Sequence, residues 1–276
     1  MIKNLSYLIY LIIILFDKII KLIKNTSLIS ALYEQIRKNS YKTLTINKKK
    51  VMFFTPSLVT KRRVETFFTK EPETLKWIDA FKENYIFWDI GSNIGQYAIY
   101  AAIRHKKSNV FAFEPSPSNL VILSRNISIN YLSKKISIVP FGLINKKNKF
   151  FFMNESKFQE GSAMHNLSEN KKSKFRYKIY GTTIKNLIEN KTLNIPNYIK
   201  IDVDGAELVV LESFGNFLKN KQIKSIFIEL DLSDKKNYNE CIKTLKSYNF
   251  KLISKNRSEL YKKSNSSTYN YIFKRR

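Results

Sequence analysis

Cysteine is almost absent from this chain: a single residue, Cys241, stands among 276. A lone cysteine cannot close an internal disulfide, so nothing here calls for an oxidising compartment. It sits in a lysine-rich helical stretch and reads as a partly buried apolar residue, not as a nucleophile. Histidine is scarce too, with only His105 and His165. No His/Cys cluster exists, which argues against a zinc centre. Long apolar runs are also missing. Leu5–Phe16 falls short of the roughly 20 residues that cross a bilayer. No small-residue cleavage site accompanies it, against a removed signal peptide. There is no Arg-Gly-rich tract, no RNA-binding module, no aromatic stacking motif and no internal repeat.

What is present supports a folded enzyme-sized domain. The chain is 43% hydrophobic and 14% aromatic, enough for a packed core and against disorder. Lys+Arg number 49 against 22 Asp+Glu, a net charge of +27. Such a surplus suits an anionic partner: nucleic acid, anionic lipid or a phosphorylated glycan. The lysines are scattered from Lys3 to Lys274. That spread favours a compositional bias, with nucleic acid the poorer candidate.

The chain divides into an N-terminal apolar and amphipathic helical segment over 1–40, lead-in strands and a helix over 41–84, and a main domain over 85–276. After Asp17, Ile19, Ile20, Leu22 and Ile23 alternate with Lys18, Lys21 and Lys24. A basic amphipathic helix of this kind lies in a membrane interface, or it packs on the protein's own core or a partner. A short tilted anchor stays open as well. The corresponding location is cytoplasmic, peripheral to or anchored at the inner face of the cell membrane.

From Tyr85 apolar β-rich runs alternate with helical patterns. The strands are Tyr85–Ile90, Val110–Phe113, Ile136–Val139, Tyr198–Val203, Ile223–Leu230 and Phe250–Ile253. This rhythm predicts an α/β doubly wound, Rossmann-like, seven-stranded and mostly parallel sheet. Tyr269–Phe273 closes it as a terminal antiparallel hairpin. Between the third and fourth strands lies a polar insertion, 145–197, with short β-like pieces at Phe150–Met153 and Phe175–Tyr180. His105, among Arg104, Lys106 and Lys107, reads as a surface residue.

Three stretches carry chemistry. The first strand runs into Asp89-Ile90-Gly91-Ser92-Asn93-Ile94-Gly95, a glycine turn opening a helix. Ligands of doubly wound sheets bind beyond such strand ends, and a helix N-terminus suits a carboxylate. Asn93 and Gln96 stand where a dinucleotide fingerprint has glycines, which disfavours a pyrophosphate. The second strand ends in Glu114 before Pro115, ~20 residues on, where an acid meets ribose hydroxyls. The fourth ends in Asp202-Val203-Asp204-Gly205-Ala206-Glu207. These carboxylates would deprotonate a hydroxyl, hold a sugar or bind a magnesium ion. Helix capping accounts for one of them, not for all three. The identity of any metal stays open.

The chain resembles the FkbM family of S-adenosylmethionine-dependent methyltransferases through "FWDIGSNIGQYAIYAA", "VFAFEPSPSNL" and "YIKIDVDGAELVVLESF". The resemblance covers about Val64 to Leu218 and implies a class I methyltransferase fold. It implies that Asp89, Gly91, Asn93 and Gly95 line the methionine end of S-adenosyl-L-methionine. Glu114 would bind its ribose, with Ser116 and Asn119 nearby. Asp202, Asp204 and Glu207 would belong to the catalytic or acceptor side. Asp204 stands where glutamate is more frequent, and Lys185 replaces an acid of the family's Thr-Leu-Asp segment. Glu229, at the end of the fifth strand, and His165, in the insertion, are further candidate bases. The acceptor class implied is a sugar hydroxyl of a glycan, glycolipid or polysaccharide precursor, methylated on oxygen. An RNA methyltransferase and a non-catalytic membrane-associated protein that keeps the fold are the competing readings.

Overall fold

The computed structural model describes residues 2–146, 148–155, 159–162, 166–168, 175–258 and 266–276. It contains two compact units, Met1–Tyr41 and Lys42–Arg276. In the first, α1 (Ile2–Lys24) runs unbroken through Asp17, so the apolar run and the basic stretch form one helix. Among the described residues no helix is long and apolar enough to cross a membrane. Asp17 ties α1 to α2 (Leu28–Lys38). It accepts hydrogen bonds from Ser27 Oγ at 3.0 Å and Ile29 N at 3.1 Å, and pairs with Lys21 Nζ at 2.8 Å. The Lys21 hydrogen bond leads in holding its carboxyl at about 2.

The second unit opens with a hairpin, β1 (Tyr41–Ile46) and β2 (Lys49–Phe54). Its two-residue turn, Asn47 and Lys48, sits at positive φ in both positions, matching the right-handed strand twist. Three short helices follow: α3 (Leu58–Glu65), α4 (Phe67–Lys70) and α5 (Pro72–Asp79). Ser57 and Thr60 close a reciprocal capping box on α3. Pro72 opens α5, where its missing N–H costs nothing.

The main sheet takes β3 (Tyr85–Ile90), β4 (Ser108–Phe113), β5 (Ile136–Val139), β10 (Tyr198–Ile201), β11 (Ser225–Asp231), β12 (Phe250–Asn256) and β13 (Thr268–Arg275). Their spatial order is β12-β13-β11-β10-β3-β4-β5. The chain steps outward from β3 to β5, then returns on the other side of β3 at β10. Strands β5 to β11 run parallel, while β13 is antiparallel to both β11 and β12. This is the class I methyltransferase arrangement, with its direction reversal between β3 and β10. Such a reversal opens a crevice beyond the strand ends.

Crossover helices α6 (Gln96–Arg104), α7 (Pro117–Ile129), α9 (Glu207–Ser213) and α10 (Lys235–Ser247) cover the sheet. Both faces of β3 are therefore dry: Phe87 and Trp88 are fully buried. On one face Trp77, Phe81, Tyr85 and Tyr198 stack, with the Phe81 and Tyr198 rings parallel and 3.8 Å apart. His105 belongs to this cluster and corrects the surface reading. It is buried, stacked beside Phe81, with Nε2 2.9 Å from Ile78 O. Its charged neighbours in sequence obscured an inward-facing ring. Cys241 is buried in the opposite core, and burial pushes its thiol up to about 12.

The insertion is more ordered than its polarity suggests. Strands β6 (Gly142–Leu143), β7 (Lys149–Glu155), β8 (Asn166–Ser168) and β9 (Phe175–Thr182) form a second sheet in the order β6-β9-β7-β8. Helix α8 (Ile184–Glu189) leads from it, capped by Thr183, back to β10.

Candidate active site

The turn after β3 is built around two glycines in the left-handed region. At Gly91, φ is +83°, and a Cβ would lie 1.8 Å from the Asp202 carbonyl oxygen. Only glycine lets the ends of β3 and β10 meet this closely. Gly91 N and Ser92 N both donate to Phe113 O at 3.0 Å, which fastens the turn to β4. At Gly95, φ is +85°, and a Cβ would lie 2.5 Å from Leu123 Cδ1 on α7. Asp89 lies beneath this turn, fully buried. Its Oδ2 accepts from Ala98 N at 3.0 Å, while Oδ1 meets no hydrogen-bond donor. Burial lifts its carboxyl to about 6, against the pull of Lys200. Asp89 and Gly95 thus shape the start of α6 and line neither cavity at the strand ends.

Glu114 reaches back to the same turn. Its Oε2 accepts from Asn93 N at 2.8 Å and its Oε1 from Ser116 N at 2.9 Å. The Asn119 side chain is a further hydrogen-bond partner of this carboxylate, which leaves acceptor capacity for a ligand hydroxyl. Burial raises this carboxyl to about 7, although the amide donors and Arg63 favour its charge. Ser116 turns away and donates to Glu155 Oε1 at 2.9 Å. Asn119 accepts from Gly161 N at 2.9 Å and donates to Ser162 O at 3.3 Å. Asn93 Nδ2 also donates to Ser162 O, at 2.7 Å, while its buried Oδ1 meets no donor. The insertion segment 159–162 is thereby fastened to the cofactor-type loop.

Between these groups lies a cavity of about 670 Å³, counting its opening to solvent. Gly91, Asn93, Glu114, Asn119, Asp202 and Asp204 are among its polar walls. Phe113, Pro115, Phe141, Leu143, Met153 and Val210 supply the apolar ones. The set fits an adenosyl group: an acid for the ribose, an apolar slot for the base, and a buried acceptor, Asn93 Oδ1, still to be matched.

The acidic stretch separates into distinct roles. Asp202 sits beyond β10, and Lys200 Nζ donates to its Oδ2 at 2.7 Å. Burial opposes this charge, but Lys200, Lys70 and Arg63 outweigh it and hold the carboxyl at about 2. Asp204 is exposed and left-handed, with φ 52°. Glu229, on the neighbouring β11, brings a carboxylate oxygen to the same place: oxygens of Asp202, Asp204 and Glu229 all lie within 4.8 Å of one another. Burial, then the nearby charges of Asp202 and Glu71, push Glu229 well above the usual carboxylate range. Glu207 turns the other way. It is buried, accepts from Gly205 N at 2.8 Å and from Asn237 Nδ2 at 2.7 Å, and joins α9 to α10. His165 lies outside the described residues.

Reading the chain in one dimension missed a second, smaller cleft on the far side of Gly91. Arg63, Lys70, Gln96, Tyr97, Lys200 and Asp202 are among its walls. Lys200 is 1% exposed and lies 4.8 Å above the Tyr97 ring. Burial works against its charge, but Asp202, Asp89 and Glu71 more than restore it. Buried Glu71 pairs with Lys70 Nζ at 2.6 Å and accepts from Tyr97 Oη at 2.7 Å. A signal existed for Lys200, a lone lysine inside the apolar strand Tyr198–Ile201. Arg63 and Lys70 carried none in so basic a chain.

The chain is similar to several known proteins. The Haloferax volcanii hexuronic acid methyltransferase AglP is 28% identical over 155 residues, covering 55% of this chain and 59% of that protein. The match thus spans less than two thirds of the relative. Among solved structures, an rRNA methylase from Streptococcus thermophilus aligns at TM-score 0.47 and 11% identity, covering 74% of this chain and 94% of that one. M. capricolum TrmK in complex with S-adenosyl-homocysteine aligns at TM-score 0.42 and 14% identity, covering 73% and 67%. The methyltransferase FkbM domain pattern matches residues 89–252, from the end of β3 into β12 and through all three motifs. Since that match takes in more than half of the 276 residues, the chain belongs to the FkbM methyltransferase domain family.

Proposed function

We propose that this protein transfers a methyl group from S-adenosyl-L-methionine to a sugar hydroxyl of a glycan, glycolipid or polysaccharide precursor. One observation carries the reading: Gly91, Glu114, Asp202 and Asp204 wall a single cavity beyond the strand ends, and Glu229 brings a carboxylate oxygen within 4.8 Å of those of Asp202 and Asp204. Bound there, the cofactor would supply an electrophilic methyl carbon. Glu114 and Asn93 would hold the ribose, and Phe113, Pro115 and Leu143 would exclude water from the base.

The acceptor hydroxyl must lose a proton as the new bond forms. Glu229 suits that task better than Asp202. Asp202 is already committed to Lys200 and is a weak base at about 2. Glu229 has a raised affinity for protons and stands beside it. Asp202 then serves as a fixed negative charge next to the positively charged donor, and positioning supplies much of the remaining acceleration. Because Lys200 neutralises Asp202, the cluster offers a magnesium ion less charge than three free carboxylates would. The sugar acceptor agrees with what AglP is named for. The exposed apolar and basic surface of α1 suits a lipid-borne acceptor at a membrane surface.

The test has two parts. Titration calorimetry with S-adenosylhomocysteine should show binding that Glu114→Ala weakens at least tenfold. Mass spectrometry of cell glycans with and without the gene should then show loss of one methyl mass. Unchanged binding in Glu114→Ala, or an identical glycan profile, counts against the proposal. Activity should survive EDTA. Loss that magnesium restores would instead assign the carboxylate cluster to a cation.

A further inference from the structure

At the end of the sheet opposite the glycine turn, where β10 and β11 begin and β13 ends, another cleft opens. It measures about 1340 Å³, counting its opening to solvent. Lys82, Lys219, Lys221, Lys224, Lys274 and Arg275 are among its walls, and no aspartate or glutamate among the described residues is. In the cleft beside Gly91 the converging lysines are paired: Lys70 with Glu71 at 2.6 Å, and Lys200 with Asp202 at 2.7 Å. Among the described residues none of the six cations at the opposite end forms a salt bridge. Arg275 is fixed in the wall. Its Nε, Nη1 and Nη2 donate to the carbonyls of Ile223, Tyr248 and Leu218 at 2.8, 2.9 and 2.7 Å. Its guanidinium lies 4.2 Å above the Phe250 ring. Burial holds its pKa below the ordinary value, with no nearby acid to offset that. Like charges gathered round a concavity repel one another, and a bound anion relieves that repulsion.

We propose that this cleft is a binding site for a compact anion that carries two or more phosphates. The site is separate from the methyl-transfer cavity and does not depend on the donor reading above. Five lysine ammoniums supply adjustable point charges, which suit the spread oxygens of a phosphoanhydride. A carboxylate fits less well, because the guanidinium of Arg275, the planar fork among these six cations, is already committed to three main-chain carbonyls. A single-stranded nucleic acid fits less well too. Its bases need open ring faces, whereas Trp77, Phe81 and Tyr198 in the cleft wall are buried and packed on one another. A bilayer surface is flat, and a recess admits at most single headgroups from it.

Calorimetric titration of the full-length protein at fixed ionic strength, with inorganic pyrophosphate and with orthophosphate, tests this. Wild type should bind pyrophosphate about tenfold or more tightly than orthophosphate, since its charge is greater. Lys221→Gln/Lys224→Gln/Lys274→Gln should weaken pyrophosphate binding about tenfold, the size expected for three partly solvated ion pairs. Lys106→Gln/Lys134→Gln/Lys236→Gln removes the same charge from exposed positions elsewhere. It should change the affinity less than about twofold, because salt screens distant charges. S-adenosylhomocysteine should not displace pyrophosphate. Displacement would place the anion in the larger cavity and overturn the proposal. Equal loss in both triple variants would do the same, since it marks general charge attraction. So would no pyrophosphate binding by wild type. In that last case, single-stranded oligouridylate and phosphatidylglycerol vesicles show what the cleft serves instead. Binding of either that needs Lys221, Lys224 and Lys274 would assign the cleft to nucleic acid or to a membrane.

Discussion

At the scale of single residues, the site is governed by charges taken out of water. Glu114 is the simplest case. Its carboxyl is lifted to about 7 by burial, yet ribose hydroxyls and a sulfonium both favour its ionised form. Below pH 7 binding must therefore expel a proton. The affinity of the wild-type protein for S-adenosylmethionine should rise with pH up to about 7 and then level off. Calorimetry in buffers of different ionisation enthalpy should report proton release that Glu114→Gln abolishes. No release in wild type would mean that the ligand leaves Glu114 protonated.

Glu229 has the same sign for a different step. A base must be unprotonated, so kcat/KM should climb through an acid limb at a pH above the ordinary carboxylate range. Glu229→Gln should lower kcat about 10²–10⁴-fold and remove that limb. A retained limb would move the role to Asp204 or to His165. Lys200 is a stability residue first. Removing it strands a largely buried carboxylate, so Lys200→Met should cost about 3–5 kcal/mol in urea unfolding, with partial recovery in Lys200→Met/Asp202→Asn. A loss below about 1 kcal/mol would show that water already reaches Asp202. With its carboxyl held at about 2, the contribution of Asp202 is full above the usual carboxylate range. It fades as pH falls through about 2.

At the scale of elements, the decisive object is the turn that joins β3 to α6. Its conformation is fixed by an inter-strand collision rather than by local preference. Gly91→Ala would drive a methyl into the Asp202 carbonyl and force a non-glycine residue to a φ of +83°. The expected cost is about 1–3 kcal/mol of backbone strain, read as a lower unfolding midpoint, with loss of S-adenosylhomocysteine binding. A variant that binds normally would mean that β10 can retreat from β3. The glycine turn, Glu114 and the Asp-x-Asp stretch were all legible in the chain, because each is a local departure from an apolar strand. The second sheet of the insertion was legible only in part. Phe150–Met153 and Phe175–Tyr180 read as β-like pieces and lie in β7 and β9, but their pairing over a long polar connection leaves no local mark. The direction of Glu207 was equally hidden, since an acid in the first turn of a helix looks the same whether it faces a ligand or Asn237.

At the scale of the whole molecule, two kinds of surface stand apart. The sheet unit exposes only scattered apolar residues, such as Leu58 and Tyr131, whereas α1 exposes Leu8, Ile12, Leu15, Phe16, Leu22 and Ile23 along one helix beside Lys18, Lys21 and Lys24. Exposed apolar area beside basic residues suits contact with an anionic surface, and we propose a membrane in that role. The full-length protein should co-sediment with phosphatidylglycerol vesicles and less with phosphatidylcholine vesicles, with binding reduced by salt. Leu8→Asp/Ile12→Asp should lose it. If wild type ignores both vesicles, the α1 surface serves a protein partner.

Taken by itself, the order of residues determined the alternation of strand and helix and the three loops at strand ends. Those are consequences of apolar periodicity and of glycine and acid placed at strand ends, all short-range. Tertiary structure alone decided which carboxylates share a wall, which one Lys200 neutralises, and that Arg63 from a preceding helix reaches the far side of Gly91. Such facts depend on distances between segments far apart in the chain and on how much water remains between them. No local pattern records either quantity.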